Sequence, residues 1–297
     1  MTNFFERLKQ EKVLVSDGAI GSLLFEKGLN PGDCPERFNL ERPEILAEIA
    51  QAYLLAGADI IQTNTFGASP LKLSDYNLDD RTEEINQKAV EIVKAVVDLK
   101  ALVSGSVGPT GKMLLPYGDI EPVVMKDNYE RQIGILIESG VDLLCIETMT
   151  DINESVIAIE SARKISQDIP IIATMTFDVI PQGCVTIMGN GVAEVCTKLQ
   201  EAGANVIGSN CGNGTKNMIT IAKEFLSNTE LPIIIQSNAG IPTIVDDHVV
   251  YQETPGEFAD FTKILLELGV SIIGGCCGTT PDHIKAIKQA VDAIMAS

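Results

Sequence analysis

The chain has 297 residues, of which 41 are Asp or Glu and 22 are Lys or Arg, and its formal net charge is −19. This length is sufficient for one large domain with a full core, and 45% apolar with 21% charged residues is typical of a globular protein. The excess of carboxylates excludes most nucleic-acid binders, because it repels phosphate backbones and no Lys/Arg-rich run offsets it. The first residues lack the apolar stretch of a signal peptide, and no apolar run is long enough to span a membrane. We therefore expect a cytoplasmic protein that binds neither nucleic acid nor membrane.

Eight short apolar runs recur along the chain. They are continuous in Ile, Val and Leu and do not alternate with polar residues, which is typical of parallel strands buried on both faces. The predicted strands are Val13–Ser16, Asp59–Thr63, Ala101–Ser106, Asp142–Glu147, Ile171–Thr176, Asn205–Ser209, Ile233–Ser237 and Ser271–Gly274.

Stretches with helical apolar spacing separate these runs. The first, Pro43–Gly57, begins with proline and ends at glycine, as helices commonly do. The other predicted helices are Thr82–Val97, Tyr129–Ser139, Ile152–Ile165, Val192–Ala202, Lys216–Leu226, Glu257–Leu268 and Pro281–Met295.

Eight βα units without a linker or composition break predict a single-domain (β/α)8 TIM barrel over residues 1–297. A doubly wound open sheet is disfavoured, since the loop Asp17–Ser22 is not the G-x-G-x-x-G motif that such sheets commonly carry after their first strand. The long stretches Asp17–Arg42 and Gly108–Met125 are expected to be active-site loops.

Functional side chains of a (β/α)8 barrel lie at the C-terminal ends of its strands. Cys211 follows the sixth predicted strand, and Cys276 and Cys277 follow the eighth. We therefore expect the three thiols to meet above the seventh strand. Asp17 and Glu147 stand at the ends of the first and fourth strands, where they either act in the site or cap a helix.

Three converging thiolates without a histidine nearby favour a Zn²⁺ ion with an open fourth coordination position. Such a zinc is a poor Lewis acid, but it can take a fourth sulfur from a substrate and lower the pKa of that thiol, which indicates thiol alkylation. Spacing alone leaves two alternatives open, a redox pair formed by Cys276 and Cys277 and a phosphate site in the glycine-rich loop around them. The remaining cysteines are expected to be core or loop thiols: Cys34, Cys145, Cys184 and Cys196.

Eight longer motifs extend along nearly the whole chain. They are Asp17–Ser22, Gln62–Ser69, Ser106–Lys112, Glu147–Asp151, Met175–Asp178, Gly208–Cys211, Ser237–Pro242 and Gly274–Pro281. Together these motifs resemble the homocysteine S-methyltransferase family, in the form of the homocysteine-binding domain of cobalamin-dependent methionine synthase. The last motif, with Asn-Cys upstream, is the most specific. Ile20 and Ser22 replace the commoner Met and Thr of the first motif, which are mild changes.

The resemblance implies a role for particular residues. The zinc ligands that it implies are Cys211, Cys276 and Cys277. Asp17 and Glu147 are expected to hold the amino group of homocysteine. Further residues expected to line the substrate pocket are Asn238, Asn64, Thr65 and Phe66.

The resemblance also implies homocysteine, or its selenium analogue, as the methyl acceptor and methionine as the product. The closer match to the methionine-synthase type favours methylcobalamin as the donor. It is expected on a separate corrinoid protein or domain, since the chain itself has neither a D-x-H-x-x-G cobalamin motif nor room for a folate barrel. Betaine and S-methylmethionine are cationic donors that need aromatic or otherwise tailored surroundings, and the absence of Trp disfavours them.

Two further hypotheses stand beside this one. The chain can instead be a non-catalytic homocysteine- and zinc-binding module of a larger methyl-transfer complex. A redox barrel that uses the adjacent thiols is the third.

Overall fold

Eight parallel strands form the barrel in the computed structural model, which describes residues 3–245 and 248–296. The strands are β1 (Leu14–Val15), β2 (Ile60–Gln62), β3 (Leu102–Val107), β4 (Leu143–Met149), β5 (Ile171–Met175), β8 (Val206–Asn210), β9 (Ile233–Ser237) and β12 (Ile272–Gly275). Their order is β1-β12-β9-β8-β5-β4-β3-β2, and a parallel bridge between Ser16 and Ile60 joins the first strand to the last. The (β/α)8 TIM barrel expected from the sequence is confirmed, and all eight predicted strands are present.

Two antiparallel hairpins project from the loops that follow β5 and β9. The first pairs β6 (Asp178–Ile180) with β7 (Gly183–Val185), and the second pairs β10 (Thr243–Val245) with β11 (His248–Val250). Because both follow the carboxyl end of a barrel strand, they belong to the face of the barrel that carries function.

Helices cover the outside of the barrel. They are α1 (Phe4–Glu11), α2 (Gly21–Glu26), α3 (Phe38–Glu41), α4 (Pro43–Ala56), α5 (Pro70–Leu73), α6 (Thr82–Val97), α7 (Pro122–Glu138), α8 (Ile152–Ile165), α9 (Val192–Ala202), α10 (Thr215–Asn228), α11 (Pro255–Leu268) and α12 (Pro281–Met295). The predicted bounds of α6, α8, α9 and α12 agree with the structure at both ends. Helix α4 ends where expected, because Gly57 adopts φ +96° and closes it in the left-handed conformation.

Helix α7 begins earlier than its apolar pattern suggested. The sequence predicted a helix from Tyr129 after a loop that reached Met125, but the helix starts at Pro122 with Glu121 as its N-cap residue. Proline is favoured in the first helical turn because its missing N–H has no intrahelical partner there. The loop after β3 is therefore shorter than expected.

The core forms two shells. Between the strands and the helices lies a continuous apolar layer that includes the buried side chains of Tyr53, Tyr129 and Phe225. Inside the barrel, a second cluster takes residues from all eight strands together with Phe4 of α1. Its members are Phe4, Leu14, Ile60, Leu102, Leu143, Cys145, Ile172, Val206, Ile234 and Ile272.

The interior changes from apolar to polar toward the C-terminal ends of the strands. Alternate residues of a strand face the same side, so the position two residues after each inner apolar residue also faces inward. At this level six strands present a polar side chain and two present glycine. The inward residues are Ser16, Gln62, Ser104, Glu147, Thr174, Gly208, Gln236 and Gly274.

Helix α1 closes the opposite, N-terminal end of the barrel. Phe4 is buried in the inner cluster, and the guanidinium of Arg7 lies 2.6 Å from Asp59 Oδ1. Asp59 also accepts the N–H of Val15 at 2.9 Å, so one carboxylate joins the helix to β1. Among residues 3–245 and 248–296, no helix is both long and apolar enough to cross a bilayer.

Candidate active site

Two strand ends bring three cysteines together. Strand β8 ends at Asn210 immediately before Cys211, and β12 ends at Gly275 immediately before Cys276 and Cys277. The three sulfur atoms lie within 4.8 Å of one another, and Cys211 Sγ is 3.8 Å from Cys277 Sγ. The four other cysteines are free and buried elsewhere in the chain.

The donor set fits a tetrahedral zinc ion. With Zn–S bonds of about 2.3 Å, tetrahedral geometry separates two sulfur ligands by about 3.8 Å. The distance between Cys211 Sγ and Cys277 Sγ has this value. Three soft ligands on one side of a cavity leave a fourth position for a ligand from the cavity.

Cys277 is the thiol that ionises most readily. Hydrogen bonds with the side chains of Cys211 and Cys276 lower its pKa, and a hydrogen bond with Tyr251 adds to the effect. Tyr251 follows the hairpin β10–β11 and packs against Gly278, where a Cβ atom would lie 2.1 Å from the tyrosine ring. Gly278 also has φ +78°, so glycine is required there both by backbone conformation and by the close approach of Tyr251.

Two buried carboxyl groups lie near these strand ends: Glu147 lines one cavity together with the three cysteines, and Asp17 lines a small cavity adjoining it. Glu147 Oε1 accepts hydrogen bonds from Ser106 Oγ at 2.5 Å and from Gln62 Nε2 at 3.0 Å. Asp17 Oδ2 accepts the backbone N–H of Gln62 at 2.8 Å. Both carboxyl groups are buried, which raises the pKa of Asp17 to about 8 and that of Glu147 to about 7. A cationic ligand beside these groups therefore favours their ionised forms, and the protons are released to solvent.

Asn210 contacts both Glu147 and one of the cysteines. Its Nδ2 atom donates to Glu147 Oε2 at 3.4 Å and lies 3.8 Å from Cys276 Sγ. Its Oδ1 atom accepts the backbone N–H of Thr148 at 2.9 Å. Asn210 is fully buried, so it supports Glu147 and Cys276 from beneath the surface of the site.

A cavity of about 230 Å³ opens above these groups. Of the residues predicted to form the site, it is lined by the three cysteines, Glu147, Asn64 and Phe66. Asn64 lines it while its Nδ2 atom donates to Pro35 O and to Asn39 Oδ1, both at 2.9 Å. Phe66 is 39% exposed, and its ring packs against Gly108, where a Cβ atom would lie 2.6 Å away.

Three other predicted site residues lie away from this surface. Asp17 is 1% exposed and lines a small adjoining cavity, which shares Gln62 with the larger one. Thr65 is buried and donates from its hydroxyl to Ser106 O at 2.7 Å, so it supports the strand ends from outside the cavity. Asn238 is buried as well, and its backbone N–H donates to Asn213 O at 3.0 Å.

Sequence reasoning missed four residues that shape the site: Gln62, Ser106, Asn210 and Tyr251. The first three are polar residues near the carboxyl ends of strands that are otherwise apolar, and this contrast is the signal that could have found them. No sequence signal marks Tyr251, because a hairpin of the loop after β9 brings it to Cys277.

Comparison with known proteins identifies the family of the chain. The model of the family described as homocysteine S-methyltransferase matches residues 14–291. Among curated proteins, methionine synthase of Mycobacterium tuberculosis is 31% identical over 307 aligned positions, which cover 98% of this chain and 25% of that protein. Methionine synthase of Mycobacterium leprae shows the same identity and coverage. This chain thus spans about a quarter of the length of these relatives.

Among solved structures, the metallated form of the homocysteine methyltransferase MmuM from Escherichia coli superimposes with a TM-score of 0.79. The two are 23% identical, and the match covers 95% of this chain and 97% of that one, which supports the shared barrel fold. A methyltransferase from Methanosarcina mazei has a TM-score of 0.60 at 12% identity and covers 95% of this chain and 94% of its own. The match of the family model to nearly the whole barrel shows that the chain belongs to the homocysteine S-methyltransferase family.

Proposed function

We propose that this chain is a zinc-dependent methyltransferase domain that binds homocysteine and converts it to methionine. The observation that carries the proposal is the placement of three thiols within 4.8 Å of one another in a cavity that the buried carboxyl group of Glu147 also lines, with buried Asp17 in the adjoining small cavity. Homocysteine has a thiol at one end and an amino group at the other. The site offers a matching group for each end.

The sulfur end of homocysteine is assigned to the cysteine cluster. Cys211, Cys276 and Cys277 would hold the zinc, which supplies a coordination position for the substrate sulfur and lowers the pKa of that thiol. The metallated form known for MmuM supports a metal in this family, and the sulfur-only donor set favours zinc over hard cations.

The amino end is assigned to Glu147 and Asp17. An ammonium group beside these carboxyl groups favours their ionised forms and offsets the burial that raises their pKa. Ser106 and Gln62 hold Glu147 from the opposite side, so the carboxylate keeps its direction when the substrate binds. Fixing both ends of homocysteine aligns its sulfur for in-line attack on a methyl group delivered at the mouth of the barrel.

The methyl donor is proposed to be methylcobalamin on a corrinoid protein or domain. Exposed apolar side chains from the loops after β3, β5 and β9 surround the mouth, and we call this set the apolar rim. It consists of Met113, Leu115, Tyr117, Ile187, Ile241 and Ile244. A large exposed apolar surface is typical of a protein interface and is unnecessary for a small cationic donor such as betaine or S-methylmethionine.

A second candidate function is a homocysteine- and zinc-binding module that is inactive by itself. The observation that favours it is the coverage of the curated relatives, since the chain spans about a quarter of their length. The two candidates differ in whether the chain alone transfers a methyl group.

An assay of the isolated chain with zinc, homocysteine and free methylcobalamin separates these candidates. Methionine formation that requires zinc supports the methyltransferase. Zinc-dependent binding of homocysteine without turnover, also when a methylated corrinoid protein is added, favours the module. Absence of both zinc and homocysteine binding contradicts the assignment of the site.

A further inference from the structure

Asn210 makes contacts with both halves of the proposed homocysteine site. From its Nδ2 atom it donates to Glu147 Oε2 at 3.4 Å and approaches Cys276 Sγ at 3.8 Å. The same Nδ2 atom donates to Thr148 Oγ1 at 2.7 Å. A single amide group therefore touches the carboxylate assigned to the amino end and a thiol assigned to the sulfur end.

The orientation of this amide is determined by its partners. Asn210 Oδ1 accepts the backbone N–H of Thr148 at 2.9 Å and the hydroxyl of Thr174 at 2.8 Å. A backbone N–H can only donate, so the atom that faces Thr148 N must be the oxygen. The Nδ2 atom must then face Glu147 and Cys276. The side chain is fully buried, which leaves it no solvent to exchange these partners with.

Two strained residues flank the amide. Thr148 has φ +59° and Cys211 has φ +61°, a region that residues with a Cβ atom rarely adopt and that is especially unfavourable for β-branched threonine. Such conformations persist only where surrounding contacts hold them. The side chain of Asn210 hydrogen-bonds to Thr148 twice, once to the backbone N–H of Thr148 and once to its hydroxyl. Asn210 also directly precedes Cys211 in the chain.

We propose that Asn210 is a positioning residue that sets the separation between the amino-end carboxylate and the sulfur-end thiols, and thereby selects homocysteine over thiols of other length. This inference rests on the proposed function. Cysteine is shorter than homocysteine by one methylene, so it cannot reach both ends at the spacing that Asn210 fixes. Discrimination of one methylene by a fitted pocket is typically about 10- to 200-fold.

Removing the amide is expected to act on metal and substrate together. In Asn210→Ala, Thr148 and Cys276 lose their shared donor, and zinc affinity without substrate should fall about tenfold or more, as is usual when a partner of metal ligands is removed. Homocysteine binding to the zinc-loaded protein should weaken by a similar factor. Cysteine binding should change less, so the preference for homocysteine should decrease.

Asn205 provides a matched control at the other end of β8. Its Oδ1 atom accepts the N–H of Ile171 at 2.9 Å and a guanidinium N–H of Arg163 at 2.6 Å, so it also bridges neighbouring elements. Asn205→Ala should lower the thermal midpoint as Asn210→Ala does. It should leave zinc affinity and the preference for homocysteine unchanged.

Thr148→Gly tests whether Asn210 acts by holding the strained backbone of Thr148. Glycine adopts φ near +60° without a steric cost, so the double variant Asn210→Ala, Thr148→Gly no longer needs the amide to hold this turn. We expect it to recover part of the homocysteine affinity that Asn210→Ala loses. If Asn210→Ala does not fold, Asn210→Asp replaces it, since this variant keeps an acceptor for Thr148 and Thr174 and exchanges the Nδ2 donor for an acceptor oxygen that faces Glu147.

The experiment measures zinc affinity by competition with a chromophoric chelator, and homocysteine and cysteine binding by calorimetry on the zinc-loaded chain. The inference is overturned if the Asn210 variants match Asn205→Ala in zinc affinity and in the ratio of homocysteine to cysteine affinity. Failure of the wild-type chain to bind homocysteine contradicts the proposed function instead. The chelator measurement still decides whether Asn210 positions the thiols.

Discussion

Asp17, which follows β1, and Glu147, which lies in β4, both accept a hydrogen bond from Gln62 of β2. Gln62 donates its backbone N–H to Asp17 Oδ2 at 2.8 Å and its side-chain amide to Glu147 Oε1 at 3.0 Å. Gln62 thereby links the pair, and the charge of Glu147 adds to the burial that raises the pKa of Asp17. A cation that binds one of them therefore stabilises the charge of both.

Asp17→Asn should weaken homocysteine binding and stabilise the empty protein. The substitution removes a carboxyl group whose ionisation is opposed mainly by burial, while an amide oxygen can still accept the N–H of Gln62. We expect homocysteine affinity to fall about tenfold and the thermal midpoint at pH 8 to rise by roughly 2 °C or more, since ~1 kcal/mol moves the midpoint by about this much in a chain of this size. Calorimetry and thermal unfolding on the same sample check both changes. A loss of both affinity and stability would mean that Asp17 is mainly a structural acceptor.

Homocysteine binding should strengthen as pH rises from 6 to 8. Below pH 7 the raised pKa values, about 8 for Asp17 and about 7 for Glu147, leave both groups protonated and without charge for the ammonium group. Each proton released on binding changes the affinity by up to about tenfold per pH unit. The substrate thiol also releases a proton on binding. The same titration on Asp17→Asn therefore isolates the contribution of the Asp17 carboxyl group to the pH dependence of the affinity. An unchanged slope between pH 7 and 8 in that variant contradicts the assignment.

The unliganded chain should lose stability over the same range. Both carboxyl groups bind a proton more tightly in the folded state than at their ordinary values of 3.8 and 4.5. Their contribution to stability is therefore complete below about pH 4 and is lost as pH rises through 7 and then 8. We expect a higher thermal midpoint at pH 5 than at pH 8, and a smaller difference when homocysteine is bound. A midpoint that is independent of pH in the absence of ligand would contradict this expectation.

Cys211→Ala should lose zinc and methyl transfer together. The site offers three sulfur ligands to the zinc ion. Removal of one leaves two thiols, which are too few to hold the ion at micromolar concentrations. Metal analysis after gel filtration measures the stoichiometry. Cys196→Ala is the matched control, because Cys196 is buried in α9 and should retain full zinc. Full zinc occupancy in Cys211→Ala would show that the ligands lie elsewhere.

Ile244→Asp should slow methyl transfer from a corrinoid protein without affecting transfer from free methylcobalamin. Ile244 is 78% exposed on the hairpin β10–β11, and a charge there opposes burial of the apolar rim against a protein. We expect kcat/KM for the protein donor to fall about tenfold. Leu55→Asp is the control, since Leu55 is equally exposed near the end of α4 that points away from the mouth. Equal effects of the two variants would argue against docking at the rim.

The barrel was predictable because each strand is buried on both faces and each helix carries apolar residues at helical spacing. The strands Ile233–Ser237 and Ile171–Met175 are buried at every residue, and Gly57 marks the end of α4 through its positive φ. Local sequence was less informative where loops fold back on the barrel. The hairpin β10–β11 owes its position to the barrel mouth and not to its own apolar pattern.

The convergence of the three cysteines was predictable, and the residues that support them were less so. Cys211 and Cys276 stand directly after strands, and the order of strands in a barrel brings such positions together. Asp17 also stands directly after a strand, yet its side chain is turned into the wall, because Gln62 offers it a backbone N–H there. A uniformly buried strand gives no alternation to tell which residues point inward, so the roles of Gln62 and Asn210 emerge only from the three-dimensional contacts.

Phe4 closes the base of the barrel, and this has a consequence for the sequence of events during turnover. With the lower interior filled by side chains, the cysteines are reached from the side where the donor is proposed to dock. The methyl acceptor and the methyl donor then reach the site through the same opening of the barrel. Homocysteine must enter before the donor arrives, and methionine can leave only after the donor departs. Steady-state kinetics of such a barrel should follow a compulsory order with homocysteine first, and excess donor should inhibit by blocking the entrance.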